Sequence, residues 1–392
     1  MTDPDTHMGA KLLPLIVLAA DTGQVTGDLR PAMRQDQNEV FAAGPTPEMP
    51  IATYSDFGEG AVWMLLRYGQ PPLIQKAPDG NMASAANLCA FIDWAIERCP
   101  AESYALIVGG HGSGIESAKQ TYRRFVPDYE RTALVANYVT GGADVVPGIK
   151  ATVDLAFDDG SRQSMSIADL GMVCQHIAER GPLATVVLDA FFMGSIEVAE
   201  ALMGSAMTLV ASPEPVPGEG FDYTRLLREW QALTRLTGVY ADDVARAAVE
   251  VFEDVYTSFY AYRPVHLRTR ILALDLFRMQ PLLDAMDRTA EAVMAELRRD
   301  ALPTLTAGQR SEDRRMAYLG YWLIELPYSE VDVYSSEAVD LLDDMVIAEW
   351  SADGEQHGLT AYLPEGSVEA WYNETPIGKR PWGQMVKWAT EG

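Results

Sequence analysis

Thr185-Val186-Val187-Leu188-Asp189-Ala190-Phe191-Phe192-Met193-Gly194-Ser195-Ile196-Glu197-Val198-Ala199-Glu200-Ala201-Leu202 reads as a buried strand that breaks at Asp189 and passes straight into an apolar-periodic helix. The strand half carries no polar alternation, as expected where both faces of a sheet are covered. Similar short, β-branched-rich runs recur at Leu15 to Ala20, Tyr104 to Val108 and Thr208 to Val210, with helical patterns between them. That alternation predicts an α/β protein built on a mainly parallel sheet flanked by helices.

Between the first two of these strands, Leu88, Phe91, Ile92, Ala95 and Ile96 form the apolar stripe of an amphipathic helix that stops at Cys99-Pro100. Residues 117–165 are rich in Gly, Pro, Asp and basic side chains, and are expected to be part hairpin and part loop. A second half begins near 236, with helical patterns at about 240–258 and 281–300 separated by a strand at Thr269 to Leu274. Gly358-Leu-Thr-Ala-Tyr-Leu-Pro364 is a further strand, followed by Trp371, Trp382 and Trp388, which read as packing aromatics. The expected organisation is an α/β domain over 11–235 with a C-terminal α+β region over 236–392 packed on it. Residues 1–10 read as a loose leader.

Composition narrows the function. The 392 residues are 48% hydrophobic and 22% charged, enough for a sizeable core. A formal net charge of −26 repels phosphate backbones and anionic membranes and favours cationic partners, so neither nucleic acid nor a membrane is expected as a ligand. Cys89, Cys99 and Cys174 are odd in number and form no Cys-x-x-Cys pair, which argues against a disulfide framework and a zinc cluster and for a reducing, cytoplasmic setting. The apolar run Leu12 to Ala20 is too short to span a bilayer. No cofactor is implied. The acidic pairs Asp158-Asp159 and Asp343-Asp344 lack the alternating oxygen spacing of a calcium loop, so no metal is expected either. Oligomeric state is not legible.

Functional groups of open α/β sheets collect beyond the carboxyl ends of the strands. One such end runs into Gly109-Gly110-His111-Gly112-Ser113-Gly114, where glycines allow a sharp turn and set His111 at the sheet rim. The other is the opening stretch. A residue at its strand-to-helix junction is expected at a helix N-terminus, a position that stabilises a thiolate. Phe191 stands there, and a phenyl ring neither ionises nor attacks a carbonyl.

These motifs carry a resemblance. The run from Asn81-Met82 through Phe91-Ile-Asp-Trp94, Pro100-Ala-Glu102 and Tyr104-Ala-Leu-Ile to His111-Gly-Ser-Gly114 is similar to the segment that leads to the catalytic histidine of the clostripain family of cysteine peptidases, in the caspase-like clan. Asp189-Ala-Phe-Phe-Met-Gly194 resembles that family's Asp-Ala-Cys-Leu-Met-Gly block. Further matches are Ala19-Ala-Asp21, Ala156-Phe-Asp-Asp159 before Ile167-Ala-Asp-Leu170, Ala211-Ser212 with Pro217-Gly-Glu-Gly-Phe-Asp-Tyr223, and Gly358 to Pro364. The resemblance implies a caspase-like fold and a Cys–His dyad, with His111 as base and acid, position 191 as the place of the thiolate, Asp189 counted with them as a catalytic-site residue, and backbone N–H groups holding the oxyanion. It also implies cleavage after Arg or Lys, with an acidic residue in the specificity pocket. Glu219 stands closest to that position and Asp222 is a second candidate. Family members are often activated by cutting after a basic residue between the histidine and the nucleophile, where Lys119, Arg123, Arg124, Arg131, Lys150 and Arg162 lie.

Phe191 departs from the pattern and removes the nucleophile. Ser195, a turn further on, Cys174 inside a helix, and the loop residues Ser113 and Ser212 are poor substitutes. Two readings follow: a pseudopeptidase that binds a basic peptide or partner protein without cleaving it, or an Arg/Lys-specific cysteine endopeptidase whose nucleophile has been replaced. A third places the function in the C-terminal half.

Overall fold

A computed structural model describes residues 9–19, 30–57, 59–110, 154–158, 163–217, 220–236, 238–260, 269–296, 310–311, 315–326, 330–355, 358–364 and 366–390. Its centre is a nine-stranded sheet in the order β12-β10-β9-β8-β5-β1-β2-β3-β4. Five strands run parallel in the middle: β2 (Ile51–Asp56), β1 (Ala10–Ala19), β5 (Ala101–Gly109), β8 (Leu183–Asp189) and β9 (Thr208–Ala211). Strands β3 (Val62–Leu66) and β4 (Leu73–Lys76) close one edge antiparallel, and β10 (Arg270–Asp275) and β12 (Val346–Ser351) close the other. Strand β1 starts at Ala10, which pairs with Ala101, so the ordered fold takes in the last residue of the segment read as a leader.

Alternation along the strands explains why helices cover both faces. In β1, Leu13, Leu15 and Val17 join one buried cluster while Leu12, Ile16 and Leu18 join another. In β8, Val186 and Leu188 face the first cluster and Val187 the second. The first face is covered by helices α2 (Ala85–Arg98), α3 (Ile167–Ala178), α4 (Ile196–Leu202) and, further out, α7 (Met279–Glu296). The second is covered by α1 (Arg30–Ala43), α5 (Tyr223–Thr234) and α6 (Ala241–Tyr260). The stripe predicted for Leu88 to Ile96 is the buried face of α2.

Helix α3 begins with a capping box. The Ser166 hydroxyl accepts from the Asp169 N–H at 3.1 Å, and the Asp169 carboxylate accepts from the Ser166 N–H at 3.2 Å. This satisfies two donors that a helix start otherwise leaves open. Ser166→Ala is expected to cost about 1 kcal/mol of stability, read by chemical denaturation; an unchanged midpoint would show that the box contributes nothing.

Just before α3, β6 (Asp154–Asp158) and β7 (Gln163–Ser166) form the antiparallel hairpin expected within 117–165. Strands β10 and β12 lie beyond residue 235 yet extend the sheet begun by the earlier strands. The remaining C-terminal elements include helices α8 (Leu319–Ile324), α9 (Glu330–Met345), α10 (Pro376–Lys379) and α11 (Pro381–Thr390). A two-stranded sheet pairs β11 (Met316–Tyr318) with β13 (Thr360–Tyr362). Trp382 is fully buried and meets Trp322 edge-on at 5.1 Å between ring centroids, which makes it a packing residue. No helix among the described residues is long and apolar enough to cross a membrane.

Candidate functional site at the carboxyl ends of β5 and β8

Strand β8 does not pass straight into a helix. After Asp189 the chain turns through 190–194, Ser195 caps, and α4 starts at Ile196. Phe191 is therefore in a turn before the helix and not at its N-terminus, contrary to the expectation from the sequence. Tertiary hydrogen bonds hold the turn away from helical geometry. The Phe192 N–H donates to the Glu214 carbonyl at 3.4 Å, the Gly194 N–H to the Ser212 carbonyl at 2.8 Å, and the Gly194 carbonyl accepts from the Thr360 N–H at 3.1 Å. Phe192 has φ 59, a left-handed conformation that side chains with a Cβ rarely adopt and that is often kept where function requires it.

The alternation of β8 continues into the turn. Ala190 faces the first cluster, and Phe191 packs half-buried against the second, with its ring edge-on to Phe192 at 6.4 Å. Asp189 is buried on that same second side, where its Oδ2 accepts from the Phe221 N–H at 3.3 Å and from the Tyr223 hydroxyl at 3.2 Å. Burial lifts its carboxyl to about 6 despite these two donors, and the nearby charge of Glu39 adds to the rise. It is thus mostly ionised at neutral pH.

Three segments converge here. Gly109 of β5 is in register with Asp189, and the Gly110 N–H donates to the Asp189 carbonyl at 3.3 Å. A Cβ on Gly109 would stand 3.0 Å from the Tyr223 hydroxyl. Gly220 has φ 60, and a Cβ there would lie 2.5 Å from Asp189 Oδ2, so the 220–223 loop reaches the carboxylate only because residue 220 is glycine. His111 follows Gly110 and Glu219 precedes Gly220; both lie outside the described residues, as does Ser113. Asp222 is at the start of α5, where its Oδ1 accepts from the Arg225 N–H at 2.9 Å as the helix cap.

The other candidate nucleophiles are committed elsewhere. The Ser195 hydroxyl caps α4 by accepting from the Val198 N–H, and the Ser212 hydroxyl donates to the Glu214 carbonyl at 2.8 Å. Cys174 is fully buried in α3, where burial pushes its thiol far up. The amides of Phe192 and Gly194, already bonded to carbonyls, are not available to hold an oxyanion.

Sequence reading missed the support behind the turn. The fully buried Glu214 carboxylate accepts from the Tyr318 hydroxyl and from Ser311 Oγ at 3.2 Å. The buried Arg270 guanidinium lies 4.6 Å above the Tyr318 ring and donates to both Asp353 oxygens at 3.1 Å. Thr360 of β13 donates from its backbone and its hydroxyl to Gly194, and the Tyr362 N–H donates to the buried Glu197 at 2.9 Å. Among these only the Thr360 and Tyr362 segment carried a signal, as part of the Gly358 to Pro364 motif.

Comparison with known proteins agrees with this architecture. An inactive zymogen C11 protease from Parabacteroides distasonis superposes with a TM-score of 0.66 at 17% identity, over 95% of this chain and 98% of the other. A secreted C11 cysteine protease from Bacteroides thetaiotaomicron, in complex with an irreversible peptide inhibitor, gives 0.65 at 16% identity, over 97% and 99%. At these identities the likeness establishes the fold, a caspase-like mainly parallel sheet between helices. No curated protein matches the sequence. The model of the clostripain family matches residues 142–363, more than half of the chain, taking in the Asp189 turn, the 217–223 loop and β13. The chain belongs to the clostripain family.

Proposed function

We propose that this protein binds an Arg- or Lys-bearing peptide, or a partner presenting one, at the carboxyl ends of β5 and β8 and does not cleave it. The observation that carries this reading is Phe191, a half-buried phenyl ring in the turn that the sequence resemblance matches to the family's cysteine, beside the buried carboxylate of Asp189. Without a nucleophile, covalent catalysis is lost, while the groups that recognise a cation do not depend on it. Asp189 would supply a negative charge, with Glu219 and the α5 cap Asp222 as further candidates, and the net charge of −26 favours a basic ligand.

Titration calorimetry with acetyl-Ala-Ala-Arg-amide against its citrulline analogue tests this. The arginine peptide is expected to bind at least about tenfold tighter, the worth of one charge-assisted pair. Affinity should weaken as pH falls through about 6, where Asp189 takes up a proton. Equal affinity for both peptides, or none for either, would sink the reading. The alternative, an Arg/Lys-specific cysteine endopeptidase with its cysteine exchanged for Phe191, draws support from the retained motifs around the turn.

A further inference from the structure

Two glutamates of α4 are turned inward, and each takes one backbone N–H of the C-terminal region. Glu197 is 4% exposed, and its Oε1 accepts from the Tyr362 N–H of β13 at 2.9 Å. Glu200, 9% exposed, accepts with its Oε2 from the Ile377 N–H at the start of α10 at 2.8 Å. The two residues stand at i and i+3 and are neighbours on one face of the helix. Their surroundings differ. Arg380, ion-paired with Asp284 and Asp287, favours the charged form of Glu200. Among the described residues no Lys or Arg is paired with Glu197, and its Oε2 is buried without a hydrogen-bond partner.

Strand β13 holds the site at two points. Two residues before Tyr362, Thr360 donates both its N–H and its hydroxyl to the Gly194 carbonyl, at the end of the turn that carries Phe191. Behind the strand, the Tyr362 ring packs against that of Tyr372 at 4.5 Å between centroids. A carboxyl that meets a single amide and leaves its other oxygen dry is tolerated while it keeps a proton and is unfavourable once charged. Ionisation strengthens the one bond to Tyr362 but supplies no second donor, and it sets the charge beside that of Glu200. The carboxylate gains water only when β13 moves away. We propose that Glu197 is a proton-controlled latch on β13: the neutral carboxyl keeps the strand seated against the turn, and the ionised one loosens it. The latch does not depend on what the cleft binds.

Burial lifts the Glu197 carboxyl to about 7. The Tyr362 amide, its own amide and the Ser195 hydroxyl pull the other way, and the charge of Glu200 adds to the rise. The remaining titratable groups that face it are Tyr362 on β13 and Tyr372 in the 3-10 helix Ala370–Glu374. Burial pushes the Tyr362 hydroxyl up to about 12 and that of Tyr372 well above its ordinary value, so both stay protonated. One shell further out, Arg380 and Asp287 act on Glu200, and Glu369 and Arg315 on Tyr362. The folded chain keeps the Glu197 proton up to about 7, whereas the unfolded chain gives it to solvent from the ordinary glutamate value of 4.5. This group therefore makes stability fall as pH rises across that window and contributes no further change above it.

Hydrogen exchange of the Thr360 and Tyr362 amides, expressed as protection factors against the intrinsic rate at each pH, tests the latch in the whole chain and in Glu197→Gln. In the parent, protection of both amides is expected to fall about tenfold or more from about pH 5 to about pH 7 and to level off above. Glu197→Gln keeps an acceptor for the Tyr362 N–H and has no proton to lose, so its protection should stay level over the same range. A level profile in the parent, or equal falls in the two proteins, overturns the latch. Where Glu197→Gln folds poorly, carboxyl-carbon NMR of the parent labelled at glutamate decides. A glutamate that titrates near 7 in step with the loss of protection supports the latch, and the lack of one overturns it.

Discussion

Phe191→Cys is expected to hydrolyse Arg- and Lys-linked fluorogenic peptides at a rate on the order of a thousandfold or more above the parent chain, which should show only background turnover. The substitution places a thiol in the turn beyond β8, two residues after Asp189, whose carbonyl accepts from the Gly110 N–H. The proposed base, His111, and the proposed cation-binding carboxylates are not altered by the change. A companion Phe191→Cys chain carrying His111→Ala should fall back to background, because a thiol without its base is a weak nucleophile at neutral pH. Removing the half-buried ring from the second cluster costs packing, about 1 to 3 kcal/mol, so folding is to be checked by thermal melting before rates are compared. Silence from a folded Phe191→Cys protein would count against a latent peptidase site at this turn.

Gly194→Ala should be the most damaging single methyl in the site. A Cβ there would stand 2.6 Å from the Pro213 nitrogen and 2.8 Å from the Ser212 carbonyl carbon, both backbone atoms that no rotamer change can move. The same residue donates to Ser212 and accepts twice from Thr360, so any shift breaks the tie between the turn and β13. A loss of roughly 3 kcal/mol or more is expected, against less than about 0.5 kcal/mol for Gly366→Ala, where no atom lies within 4 Å of the added carbon. Equal unfolding midpoints for the two variants in denaturant would show that the turn relaxes freely and that its geometry is not held from outside.

The proposal for position 191 comes from Asp189-Ala-Phe-Phe-Met-Gly194 alone, through its resemblance to the family's cysteine-bearing block. The fate of Gly194 is not legible in that block, because nothing local says that Ser212, Pro213 and Thr360 will meet there. The same contrast runs through the fold. Strands β1, β5, β8 and β9 and the stripe of α2 follow from apolar runs and their spacing, since each element's own period states which side must be buried. The edge places of β10 and β12 do not, because strand order is set by which edges remain open after the parallel core has formed.

Periodicity in this sequence therefore determined an α/β chain, and the resemblance of its motifs pointed to the clostripain family, whose model matches residues 142–363. Tertiary structure alone decided that the turn after β8 is tied to β13 before any helix begins, and that Glu214 is buried under Tyr318. It also turned Asp36, a polar residue of α1, inward to a buried position. A sequence states what each residue is, but the cost of a charge or the freedom of a glycine depends on what long-range packing brings against it.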